Sequence, residues 1–97
     1  MSELDYVSQT LTKAISVLAT HPGGIAERMK RAYAELHPIT VDKFPDDLKG
    51  DWVHIEVELG IGEGDVPARI DSLSEPDLSL IAIRIMSFAD RVDTLNS

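Results

Sequence analysis

Ninety-seven residues bound the chain to one domain, 1–97, and an apolar share of 43% belongs to a folded globular protein rather than a disordered one. A formal charge of −8 weighs against nucleic acid and anionic membrane as partners and favours basic ones. The absence of cysteine removes the disulfide framework, the thiol nucleophile and the thiolate metal site together.

The opening Met1-Ser2-Glu3-Leu4-Asp5 is acidic and then amphipathic, unlike the basic and apolar regions of a signal peptide. No apolar run reaches the ~20 residues of a membrane span. The expected location is cytoplasmic. A first helix is predicted over 2–18, because Leu4, Val7, Leu11, Ala14, Ile15 and Leu18 recur at spacings of three and four. Ser2 with Asp5 resembles a capping box at its start. His21-Pro22-Gly23-Gly24 stops it, since proline cannot continue the hydrogen-bond ladder.

A second helix is predicted over 24–36, with Ile25, Met29, Ala32, Tyr33 and Leu36 turned inward. Glu27, Arg28, Lys30, Arg31 and Glu35 mostly face water, and His37-Pro38 ends the helix. The link 39–44 should hold a short turn, with Ile39 and Phe44 plugging the core. Residues 45–59 fit two patterns. Val53, Ile55, Val57 and Leu59 alternate with polar residues as in a strand, whereas Leu48, Trp52, Ile55 and Leu59 fit a helix. Pro45, Asp46 and Asp47 suit a helix start and Gly60 a helix stop. No other segment offers a partner strand, so the helix is the expected outcome.

Gly60-Ile61-Gly62-Glu63-Gly64 reads as a flexible loop, and a short helical piece is expected near 67–73. Ser74-Glu75-Pro76-Asp77 then caps a last helix over 75–95. There Leu78, Ile85 and Val92 repeat every seven residues, as do Ile81, Phe88 and Leu95. The expected fold is all-α: an antiparallel bundle of about four main helices with a short extra helical turn in the 65–73 region.

The charge is unevenly placed. Residues 1–50 carry a net −1 and residues 51–97 a net −7, with eight acids against Arg69 alone between positions 51 and 77. His21 and His37 stand at helix ends, where an imidazole can meet the last carbonyls. Asp51, His54 and Glu58 share one face of a helix and could hold a divalent metal weakly, but no further ligand motif accompanies them. Arg28, Lys30 and Arg31 are flanked by Glu27 and Glu35, which argues against a DNA-reading helix. No GxSxG elbow, HExxH pair or GK[ST] phosphate loop is present. No catalytic residue, metal ligand or cofactor is therefore assigned.

Leu80 and Ile83 lie opposite the heptad seam, and Tyr6 and Val17 opposite the stripe of the first helix. Several such residues together could make one exposed patch, and exposed patches mark interfaces. Glu56, Glu58, Glu63 and Asp65 add an acidic surface to the candidate contact region. The segment Gly24-Ile25-Ala26-Glu27-Arg28-Met29, with Ala32-Tyr33, Leu36, Ile39 and Asp42-Lys43-Phe44-Pro45-Asp46-Asp47-Leu48, resembles a set of short bacterial helical proteins of unknown function. The Leu73-Ser74-Glu75-Pro76-Asp77 cap and the final helix extend the resemblance to about two-thirds of the chain. The resemblance implies a helical 45–59 and no activity, although the valines at 53 and 57 and the proline at 76 depart from it. The functional expectation is a protein–protein interaction or regulatory module that binds a protein partner or a second copy of itself. The alternative is an acidic inhibitor or nucleic-acid mimic directed at a basic protein.

Overall fold

The computed structural model describes residues 3–96, which form five α-helices and one 3₁₀ turn and contain no strand. In chain order these are α1 (Glu3–Thr20), α2 (Ile25–Leu36), the 3₁₀ turn Val41–Lys43, α3 (Asp46–Leu59), α4 (Val66–Ser72) and α5 (Glu75–Asn96). The fold is all-α.

In α1 the residues Val7, Leu11, Ala14 and Leu18 are buried, as their spacing requires. Thr10, Thr12 and Thr20 each return their hydroxyl to the carbonyl four residues back, which satisfies a polar group without interrupting the helix. The capping role expected of Ser2 falls outside the described residues. Gly23, at φ +117°, makes the turn, and Gly24 in extended conformation opens α2. At the far end the backbone N–H of His37 closes on the Tyr33 carbonyl while its ring meets that of Tyr33 edge-on, centroids 6.1 Å apart.

The ambiguous stretch is a helix. Leu48, Trp52, Ile55 and Leu59 are buried on α3, whereas Val53 and Val57 of the alternating pattern are exposed. Gly60 ends α3 in the left-handed conformation at φ +74°. Its N–H reaches the Val57 carbonyl and that of Ile61 reaches Glu56, a pattern that satisfies the last carbonyls of the helix. The glycine segment beyond is a run of turns that needs positive φ at Gly60, Gly62 and Gly64. Asp65 then caps α4 by accepting from the Ala68 N–H at 3.2 Å, and Ser74 caps α5 by accepting from Asp77 N–H at 3.3 Å.

Helix α5 carries most of the seam expected of it: Leu78, Ile81, Ile85, Phe88 and Val92 are buried. Leu95 does not belong to it. It is 53% exposed, on a shallow groove beside Asp47 and Leu48 at the start of α3. Helices α1 and α3 run against the direction of α5. Ser8 bonds Asp93 and Leu18 lies beside Ala82 along α1, while Asp51 meets Arg91 and Glu58 meets Arg84 along α3. Between the 3₁₀ turn, α3 and α5, the rings of Phe44, Trp52 and Phe88 form a triangle with centroids 5.1 to 5.7 Å apart.

Candidate functional site

Two grooves flank α5, and Ile83 is the ridge between them. The first, about 340 Å³, lies between α3 and α5 with Ile55 and Phe88 at its floor. Its rim is charged. Asp51, His54 and Glu58 do share a face of α3, as their spacing predicts, but α5 sets arginines against them. Arg91 pairs with Asp51 and Arg84 with Glu58. His54 Nε2 lies 3.1 Å from Arg84 Nη1 and 3.6 Å from Glu58 Oε1. A guanidinium already occupying each carboxylate competes with a metal there, and among the described residues no three His, Asp or Glu groups come close enough to hold one. Ser87 lines the groove without a hydrogen bond to His54, so no nucleophile–base pair forms there among the described residues. This rim fastens α3 to α5.

The second groove, about 230 Å³, lies where the α1–α2 turn meets α5. Leu18, Ile25, Ala82, Ile83 and Met86 make it apolar. Arg28 is the one charged group in its lining. The sequence pattern turns Arg28 to water, but the structure half-buries it, because a position 100° off the inner stripe of α2 faces the end of α1. Its Nη1 donates to the Leu18 carbonyl at 2.9 Å, in the last turn of α1, where helical carbonyls lack partners. Its Nε is fully buried with no hydrogen-bond partner among the described residues. Among the described residues Arg28 makes no ion pair. The other two cations of α2 are taken up: Lys30 meets Asp71 at 2.6 Å and Arg31 meets Glu27 at 3.8 Å. The hydrogen bond to Asp71 raises the Lys30 pKa above its ordinary value.

Above the second groove the outer side of α5 is apolar. Leu80, Ile83 and Met86 are 49%, 54% and 41% exposed. Met86, which the sequence pattern passed over, stands at i+3 from Ile83 and extends the same surface. Tyr6 is exposed too, and Val17 is half-buried against the core. Neither joins Leu80 and Ile83. Ser8 marks the side of α1 that touches α5, and at 100° per residue Tyr6 and Val17 lie about half a turn round from it.

The acidic candidates are dispersed. Glu58 is neutralised by Arg84, and Asp65 is spent on the α4 cap. Glu63 is exposed in the glycine turns. Glu56 is half-buried on the opposite flank of α3, where burial raises its pKa above the usual carboxylate value. No helix among the described residues is long and apolar enough to cross a membrane. No protein-family model matches the chain, and neither a curated protein nor a solved structure gives a significant match.

Proposed function

We propose that this chain is an interaction module that binds a protein through the outer face of α5 and the groove beside it, rather than an enzyme. The carrying observation is the joined apolar surface of Leu80, Ile83 and Met86 over a groove whose only charge, Arg28, has no counter-ion among the described residues. An exposed apolar surface costs solubility unless something covers it, and a half-buried unpaired cation costs desolvation until an anion meets it. One bound protein surface would relieve both. The opposed directions of α1 and α3 along α5 support an antiparallel bundle as the scaffold, with the seven-residue α4 as its short member.

Site-specific photo-cross-linking in the producing cell tests this reading. A photoreactive residue at position 80 should give an adduct of discrete mass, and Ile83→Glu in the same chain should abolish it. The same probe at position 57, on the outer side of α3, should give none. Absence of an adduct from position 80, or an equal yield from position 57, refutes the reading.

A further inference from the structure

The exposed side of α5 carries a second, shorter stripe behind the core seam. Ser79, Ile83, Met86 and Asp90 follow one another at i, i+4, i+7 and i+11, so they fall within a sector of about 60°. Its middle is apolar, one end is a carboxylate, and the other end, Ser79, lines the groove that holds Arg28. Asp90 is exposed and, like Arg28, makes no ion pair among the described residues. The residues from Ser79 to Ser87 contain a single charge, Arg84, and it is turned to Glu58 on the other flank. The middle of this surface, from Ser79 to Ser87, therefore carries no acid that would repel a second copy at close contact.

A surface with these ends is complementary to itself. We propose that its occupant is a second copy of the chain, with the two α5 helices packed antiparallel about a two-fold axis between Ile83 and Met86. Each Asp90 then meets the Arg28 of the other copy. The register follows from the spacing. An axis midway between 83 and 86 sets Ile83 against Met86 of the second copy and Ser79 against its Asp90. The two symmetry-related Ser79–Asp90 contacts stand about 16 Å apart along the helix. Because Ser79 and Arg28 line one groove, the incoming carboxylate arrives at the unpaired guanidinium, and the symmetry makes that ion pair twice. The knob at Ile83 and the anion at Asp90 thus supply both the apolar cover and the counter-ion that the interaction reading, on which this inference rests, requires.

Sedimentation velocity on the purified chain, from roughly 1 to 200 µM, tests the pairing. The expected result is a monomer–dimer equilibrium whose dissociation constant rises about tenfold or more in Ile83→Glu and in Asp90→Arg. Arg28→Asp should weaken it similarly, and the combined Arg28→Asp/Asp90→Arg chain should recover dimer, because the exchanged charges meet again across the axis. The natural absence of cysteine supplies a second measurement that leaves Arg28 intact. Mixed Ile83→Cys and Met86→Cys chains should oxidise to the mixed disulfide faster than either pairs with Leu95→Cys. A wild-type chain that stays monomeric overturns the proposal, and so does a dimer indifferent to Ile83→Glu. If the charge exchange fails to restore a folded Arg28→Asp chain and the mixed disulfide shows no preference, the register is overturned. A monomer that still gives a position-80 adduct of another mass in cells removes the second copy and leaves the interaction module standing.

Discussion

Trp52 is the only tryptophan of the chain and is 1% exposed, yet among the described residues its indole N–H has no hydrogen-bond partner. Two substitutions there should give sharply different results. Trp52→Ala empties the centre of the triangle with Phe44 and Phe88, and truncation of a buried Trp costs about 3–5 kcal/mol. A domain of this size holds about 5–15 kcal/mol in total, so the variant should lose about a fifth of its stability or more. Trp52→Phe keeps a ring between Phe44 and Phe88. It leaves about 40 Å³ unfilled, about 1 kcal/mol at ~24 cal/mol per Å³. It also removes a buried donor whose unmet hydrogen bond costs about 1–3 kcal/mol. The two terms oppose each other, and Trp52→Phe should lie within about 1 kcal/mol of wild type. Urea and thermal unfolding followed by far-ultraviolet circular dichroism measure both, since the variants lose the tryptophan signal. The expected fall in Tm is about 12–40 °C for Trp52→Ala and under about 8 °C for Trp52→Phe. A loss above about 2 kcal/mol in Trp52→Phe would refute the reasoning, because it would mean that the indole N–H makes a bond that the phenyl ring forfeits.

Three further outcomes are expected. Gly60→Ala should destabilise by about 1.5–3 kcal/mol in urea unfolding: a side chain at φ +74° is strained, and its Cβ would stand 2.5 Å from Arg69 Cδ, displacing the arginine from the Glu58 carbonyl it caps at 2.8 Å. Glu56→Gln should stabilise at pH 7 by a few tenths of a kcal/mol, roughly the scale of a surface charge change. Burial raises the folded pKa of Glu56 above its unfolded value, so the native charge is penalised at neutral pH. The gain should vanish as pH falls below the carboxylate range, where both chains are neutral at this position. A double-mutant cycle on Glu58 and Arg84, each changed to Gln, should give a coupling of about 0.5–1.5 kcal/mol that shrinks in high salt; no coupling would mean that the rim does not fasten α3 to α5.

The helices were legible where periodicity and caps agree. Residues 45–59 show why periodicity alone does not suffice, since Ile55 and Leu59 belong to both patterns. The helix is decided by Leu48 and Trp52, by Gly60 in the left-handed stop, and by the lack of a second strand to share the ladder. The cap of α4 was missed because Asp65 follows a glycine run and reads as part of a loop, although an acid three residues before Ala68 on the way into Val66-Pro67 is a start signal. Leu95 failed in the other direction. A heptad position states where a side chain points, and whether anything faces it depends on where the neighbouring chain begins.

The candidate site divides along the same line. Leu80 and Ile83 could be found from the sequence because exposure on a single helix is a matter of angle. Met86 lies 100° from Ile85, at the edge of the core sector, where angle alone does not separate buried from exposed. Arg28 was illegible for a tertiary reason. Its place on α2 is a water-facing one until α1 ends beside it with bare carbonyls, and α5 then supplies the other wall of the groove that Arg28 lines. The acidic excess misleads in the opposite sense. Of the eight acids between 51 and 77, Asp51, Glu58 and Asp71 are each held by a cation and Asp65 by a helix start. Net charge therefore overstates how much of that segment is free to recruit a basic partner. Among the described residues Arg28 has no counter-ion in its apolar groove and Asp90 none on the neighbouring stripe; they do not pair within one chain, and the proposed two-fold axis would bring them together between two.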